Sequence, residues 1–182
     1  MSMKPSIKGS VLYHIKQRIL ESFGEGKLSD VLAKCSEETR KVMNSSILSG
    51  EWYPESAMDD LATALHDSFS PQVRSIFTRE LAKKQVGTVF RMFLRAFSSP
   101  NSIAERNDEV WKKIHDTGRV DVVEKGERTH TIQISGFSMG PGYAWLYIEY
   151  HAGIIEMAGA KSAKGTYKKI DDKTHRFWFG WE

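Results

Sequence analysis

The chain has 182 residues, of which 40% are hydrophobic, 27% charged and 11% aromatic. This length and balance predict one domain with a sizeable core and exclude a disordered chain. The formal net charge of +3 comes from 26 basic and 23 acidic residues without a long basic block, so no nucleic-acid partner is indicated.

The single cysteine, Cys35, cannot form an internal disulfide, which fits a reducing compartment. The first residues lack the apolar core of a signal peptide, and no stretch of about 18 apolar residues occurs. We therefore expect a cytoplasmic protein that does not insert into a membrane.

Helical spacing of apolar residues dominates the first two thirds of the chain. After a flexible lead over residues 1–9, Ser10 caps a first helix that Gly24 and Gly26 end. The segment Ser49 to Pro54 is predicted to be a loop, whose two aromatic rings, Trp52 and Tyr53, either anchor it on the core or contact a ligand. Further helices are predicted over Leu28 to Cys35, from Ser36, over Ala57 to Ser68 with a capping box of Ser56 and Asp59, from Pro71, over Val86 to Phe97 as the central helix of this half, and over Ser102 to Asp116.

Gly118 is a predicted left-handed helix cap. After it, the spacing of apolar residues changes from the helical period to the alternation that is typical of strands. In the second strand, His130 shares the inward face with Ile132 and Ile134. The predicted elements are strands over Arg119 to Val123 and Arg128 to Phe137, an apolar helix over Tyr143 to Gly159, an edge strand over Lys161 to Lys169 and a last strand over Thr174 to Trp181.

These elements predict an α+β fold. A helical N-terminal half packs on a four-stranded antiparallel sheet, and one inserted helix makes the C-terminal half ββαββ. We expect a single ligand-binding-like domain over residues 10–182, with a helical part at 10–117 and a sheet part at 118–182.

Four stretches carry a resemblance to a known family. They are WYP at Trp52 to Pro54, VWKKIHDTGRVDV at Val110 to Val122, IIEMAGAK at Ile154 to Lys161 and HRFWFGW at His175 to Trp181. The chain resembles, over nearly its whole length, an uncharacterised bacterial domain family. That family is similar in turn to the 4-vinyl reductase domain and, more remotely, to the haem-NO-binding and TRAPP-subunit fold.

The resemblance implies a module that holds a ligand between its helices and its sheet. Where the 4-vinyl reductase group has two cysteines, this chain has Tyr167 and His175, so a thiolate metal site is lost. The Tyr-x-Ser-x-Arg motif that holds haem propionates in the haem-NO-binding group is absent, and only His115 lies in a place comparable to that of its haem-ligating histidine. We therefore expect no cofactor.

The candidate pocket residues are aromatic side chains and histidines. Trp111 and His115 are four residues apart, so their rings stack on one side of a helix, either in the core or against a ligand. Trp145, Tyr147 and His151 belong to the apolar inserted helix, which is interpreted either as a buried central helix or as a pocket wall. The full candidate set is Phe93, Trp111, His115, His130, Trp145, Tyr147 and His151.

No pattern in the sequence specifies a reaction or a metal. A metal site would have to be assembled from His130, His151 and His175, and isolated histidines near a core are more often simply hydrogen-bonded there. The letters GFSMG at Gly136 to Gly140 match G-x-S-x-G, but they follow an antiparallel hairpin strand, where no nucleophile elbow forms. We predict no catalytic residue and no metal ligand.

The sequence is interpreted as a non-enzymatic sensory or regulatory domain that binds a small apolar molecule between its helices and its sheet. With no fused output domain, its signal passes through a protein partner or a homodimer. Two alternatives stay open. One is a structural adaptor that resembles TRAPP subunits and binds a protein partner, and the other is a haem or metal gas sensor.

Overall fold

The computed structural model describes residues 5–88 and 99–182, which contain six helices and two antiparallel sheets. The N-terminal half is helical and the C-terminal half holds a four-stranded sheet, as predicted. The elements in chain order are β1 (Ser6–Lys8), α1 (Gly9–Ala33), α2 (Glu37–Asn44), β2 (Trp52–Pro54), α3 (Glu55–Ser68), α4 (Pro71–Thr88), α5 (Pro100–Ile114), β3 (Arg119–Lys125), β4 (Thr129–Ser135), α6 (Pro141–Met157), β5 (Ala163–Asp171) and β6 (Thr174–Trp181).

Helix α1 is longer than predicted and is kinked. It runs through Gly24, whose φ of 80° and ψ of 177° are not helical, into the segment predicted as a separate helix from Leu28. Because glycine adopts a positive φ without steric cost, the chain bends there and helical structure resumes at once. The predicted interruption is real, but it is a kink and not a helix end.

The short sheet of β1 and β2 corrects two predictions. Ser6–Lys8 was expected in the flexible lead and Trp52–Pro54 in a loop, yet the two segments pair antiparallel, with Ile7 opposite Tyr53 and fully buried. The Ser6 amide also donates to a carboxylate oxygen of Asp116 at 2.7 Å. This pairing holds the start of the chain against the end of α5.

The observed start of helix α2 agrees with the predicted cap, whereas that of α3 does not. The Ser36 hydroxyl accepts from the Thr39 amide at 3.2 Å, as a cap should. The predicted capping box of Ser56 and Asp59 is wrong, because α3 begins at Glu55. Asp59 Oδ1 instead accepts from the Gly140 amide at 2.9 Å, which ties α3 to the start of α6.

The predicted central helix over Val86 to Phe97 lies largely outside the described residues. Helix α4 is described to Thr88, and α5 begins at Pro100. The Ser99 hydroxyl and the Ser102 hydroxyl exchange hydrogen bonds with each other's backbone amides at the start of α5. A capping box therefore starts α5 at Pro100, two residues before the predicted start at Ser102.

The four-stranded sheet has the order β3-β4-β6-β5, with every neighbouring pair antiparallel. Strand β5 lies at an edge, as its polar sequence predicts. His130 pairs with Phe179 and Ile132 with Phe177, and all four side chains are buried on the inward face. The predicted inward face of β4 is confirmed.

Helix α6 connects the two halves of the molecule. It contacts α3 and α4 on one side and β5 on the other. Arg79 of α4 strengthens this junction: its Nε donates to Glu149 at 2.9 Å, its Nη2 donates to the Ala163 carbonyl at 3.0 Å, and its Nη1 contacts Glu156. The carboxylates of α6 therefore pair with α4.

Gly142 is the closest approach of α6 to α3, and we expect Gly142→Ala to cost about 1–3 kcal/mol of unfolding free energy. A Cβ there would lie 2.7 Å from Thr63 Cα and 2.8 Å from Thr63 N, both backbone atoms that cannot move alone. Gly26→Ala is the matched control, because a Cβ at Gly26 meets nothing within 4 Å. Urea unfolding measures both, and equal effects at the two positions would contradict the packing described.

Among the described residues, no helix is both long enough and apolar enough to cross a membrane.

Candidate functional site

A mainly apolar cavity lies among α1, α5 and α6, with single side chains from α3 and α4 closing it. Its volume is about 80 Å³. All lining residues come from helices or their ends, so the cavity lies within the helical layer. This corrects the expectation that the ligand site lies between the helices and the sheet. The lining residues are Ser10, Val11, His14, Ile15, Met58, Leu81, Asn107, Val110, Trp111, Ile114, His115, Tyr143, Leu146, Tyr147, Tyr150, His151 and Ile154.

Trp111 and His115 form one wall of the cavity as a stacked ring pair. Their ring centroids are 3.8 Å apart with the planes 19° from parallel, so the predicted stacking is confirmed. Trp111 Nε1 donates to the Thr117 carbonyl at 2.8 Å. Gly118, at a φ of 78°, lets the backbone turn beneath the indole, where a Cβ would come within 3.2 Å of Nε1. The hydrogen bond to Thr117 and the close backbone at Gly118 therefore hold the Trp111 ring in place against His115.

His115 is the middle of a buried hydrogen-bonded chain. Its Nδ1 lies 3.1 Å from Glu55 Oε2, and its Nε2 lies 3.1 Å from the Tyr143 hydroxyl. All three residues are buried, and Glu55 Oε1 has no partner among the described residues. Burial, and then the nearby Glu55 carboxylate, raise the pKa of Tyr143, which keeps the phenol neutral. Both ring nitrogens of His115 are thus occupied.

A second polar pair lines the cavity beside the first. Asn107 Nδ2 donates to the Tyr147 hydroxyl at 2.8 Å, joining α5 to α6. Burial raises the pKa of Tyr147. Its ring packs between Trp111 and Phe177, at centroid distances of 6.1 Å and 4.8 Å. Tyr147 therefore carries the contact between the cavity and the sheet.

His130 of β4 and His151 of α6 face each other across the helix–sheet interface. Their Nε2 atoms are 2.9 Å apart, and both rings are buried. Burial, with Lys125 adding, lowers the pKa of His130 to about 4, and burial and His130 lower that of His151. Both rings are neutral at neutral pH, so one Nε2 donates and the other accepts. His130 Nδ1 is buried without a partner among the described residues.

The structure brings together four of the seven predicted pocket residues. Trp111, His115, Tyr147 and His151 line the cavity, whereas His130 lies behind His151. Trp145 does not line it: its half-buried ring lies under the Arg74 guanidinium, 4.9 Å from the ring centroid, and 6.0 Å from His66.

Phe93, the seventh predicted pocket residue, lies outside the described residues.

The contribution of α1 to the cavity was missed from sequence. Val11 and Ile15 have the apolar helical spacing of the first predicted helix, but nothing local shows that these residues face a cavity. His14 lies between them in sequence and also lines the cavity, half-buried. A polar residue inside an apolar stripe is the one signal that could have marked this wall.

The described residues assemble neither a metal site nor a hydrolytic triad. No group of three or more potential metal ligands is found among them. His175, the third histidine of the hypothetical metal set, contacts the Tyr167 hydroxyl and the Phe137 carbonyl, both at 3.0 Å, away from the His130 and His151 pair. Ser138 of the GFSMG segment lies in the connection between β4 and α6.

No protein-family model matches this sequence, and no curated protein is significantly similar to it. Solved structures do match. The Fe(II) unliganded H-NOX protein from K. algicida has a TM-score of 0.71 and 14% identity, over 97% of both chains. The S. oneidensis H-NOX protein in the Fe(II)NO ligation state has a TM-score of 0.68 and 12% identity, over 97% of this chain and 99% of that one.

A variant of Tt H-NOX is more distant, with a TM-score of 0.60 and 12% identity over 97% of this chain and 95% of that chain. These identities establish the fold alone. The chain has the fold of the haem-NO-binding group, one of the three named in the sequence resemblance. The comparisons do not show the resemblance to the 4-vinyl reductase domain or to TRAPP subunits.

Proposed function

We propose that this protein is a non-enzymatic sensory domain of the H-NOX fold whose ligand is a small, mostly apolar molecule held in the cavity among α1, α5 and α6. The cavity itself is the observation that supports this function. It combines aliphatic walls with two fixed polar pairs, His115 with Tyr143 and Asn107 with Tyr147. Such a combination is typical of small-molecule sites. The bound state would be read by a protein partner or a second copy of the chain.

Filling the cavity is the direct test. Val110→Phe places a larger side chain in a cavity of about 80 Å³ and is expected to abolish binding of pentan-1-ol, a small probe with an apolar chain and one hydroxyl. An NMR titration should give saturable shifts of cavity residues in the wild-type protein and none in the variant. Val123→Phe, at a strand position that is 48% exposed, is the matched control and should bind as the wild type does. Absence of saturable shifts in the wild-type protein would contradict the proposal.

The structural neighbours favour a second candidate, a haem-binding gas sensor. One neighbour is an H-NOX protein in the Fe(II)NO ligation state, and another comes from work on haem distortion in the H-NOX family. Three histidines of this chain line the cavity. His115 has both ring nitrogens occupied and His151 uses Nε2 for His130, which leaves His14 as the one cavity histidine whose ring has no hydrogen-bond partner among the described residues.

The space around these histidines does not fit haem. Pockets for drug-sized ligands have volumes of about 300–1,000 Å³, whereas this cavity measures about 80 Å³. The stacked rings of Trp111 and His115 form one wall of this small space, and the propionate-holding motif is absent from the sequence. The described residues therefore favour a smaller organic ligand over haem.

A further inference from the structure

Next to the cavity lies a polar cleft on the outer side of α1, with a volume of about 180 Å³. Cavity and cleft share two lining residues, His14 and Leu81, so the two spaces are neighbours on either side of these side chains. The remaining cleft residues are Tyr13, Gln17, Arg18, Glu21 and Lys84.

Arg18 is the unusual member of the cleft. It is half-buried, its Nε is inaccessible to solvent, and that Nε has no acceptor among the described residues. A buried guanidinium donor without an acceptor is costly, and a planar anion such as a carboxylate would satisfy it. Two carboxylates, Glu21 and Glu80, lie near enough to Arg18 to feel its charge. Each of them is already paired with a lysine, Lys84 and Lys83 respectively.

The spacing along α1 connects the two spaces. Val11, His14 and Ile15 face the cavity, and His14 and Arg18 face the cleft, four residues apart on one side of the helix. With a rise of 1.5 Å per residue, Val11 and Arg18 are separated by roughly 10 Å along the axis. Because long helical side chains point back toward the helix N-terminus, the Arg18 side chain covers part of this distance, and a short chain with one charged end covers the rest.

We propose that the natural ligand is a small amphipathic carboxylate, whose apolar chain fills the cavity and whose carboxylate is bound in the cleft by Arg18, with His14 at the junction between the two. This rests on the proposed function, because the chain must enter the cavity. It adds the chemical class of the ligand and a residue that selects it.

The test compares pentanoate with pentan-1-ol, which share the same chain, by NMR titration of the full-length protein. We expect pentanoate to bind at least about tenfold more tightly, the range of a charge-assisted hydrogen bond to a buried donor. Arg18→Gln should remove this preference and leave pentan-1-ol binding unchanged, and Arg18→Lys should restore part of it. Arg119→Gln, at an exposed arginine of β3, is the control and should keep the preference.

The outcomes separate the proposed carboxylate site from the proposed function of the cavity. Binding of pentan-1-ol with no gain for pentanoate, or a gain that survives Arg18→Gln, overturns the carboxylate site and leaves the proposed function intact. Binding of neither probe overturns both. If Arg18→Gln does not fold, the comparison of the two probes on the wild-type protein and on Arg18→Lys still decides.

Discussion

Trp111→Ala is expected to lower the free energy of unfolding by about 3–5 kcal/mol, the usual cost of removing a large buried aromatic ring. Trp111 is 2% exposed, stacks on His115 and meets Phe137 edge to face at 4.8 Å. Its loss would also release His115 from its stack and leave the Thr117 carbonyl without its donor. Urea unfolding followed by circular dichroism gives the value.

Trp178→Ala is the matched control for this substitution. Trp178 lies on the outer face of β6 and is 36% exposed, so its removal should cost about 1 kcal/mol, close to the average substitution. If the two variants lose the same stability, Trp111 is not the packed centre of this wall, and the cavity boundaries described above are wrong.

Acidification from pH 7 to about pH 4 is expected to destabilise the fold by about 3 kcal/mol through His130 alone. The usual pKa of 6.5 falls to about 4 in the folded protein, mainly because the ring is buried. Below pH 6.5 the unfolded chain binds a proton that the folded protein does not bind. Stability is therefore full above pH 6.5 and decreases as pH falls, until the folded protein also takes up the proton near pH 4. The pKa of His151 is lowered in the same direction and adds to the loss.

The control for this prediction removes both rings. A double variant, His130→Leu with His151→Leu, should lose clearly less stability between pH 7 and pH 4.5 than the wild type does. His66→Gln, at a half-buried histidine whose ring contacts Asp67 and Trp145, should behave as the wild type does. Unfolding free energies at the two pH values provide the comparison. An unchanged pH dependence in the double variant would show that these rings are not the acid-sensitive element.

The C-terminal half could be predicted because its local patterns agree with its tertiary structure. Every second residue is buried from His130 to Ile134 in β4 and from His175 to Phe179 in β6, and the break at Gly140 to Gly142 precedes α6. The pairing of β1 with β2 could not be predicted. Each strand has three residues, too few to show a period, and their contact depends on chain segments far apart in sequence.

In the candidate site, too, the features set by local sequence could be predicted and those set by distant chain segments could not. The stacking of Trp111 on His115 follows from helical spacing and was predicted. The partners of His115 lie 60 and 28 residues away in sequence, on α3 and α6, and no local pattern reveals them. The cavity wall that Val11, His14 and Ile15 of α1 form was not predicted for the same reason, since it depends on which helices meet around α1.

Native mass spectrometry of the protein purified from cells supplied with a haem precursor tests the central claim most directly. The account predicts a folded protein that carries either no added mass or that of a small organic molecule, lost on denaturation, and no Soret absorption. A stoichiometric haem adduct with a Soret band would contradict it and would establish the haem sensor instead.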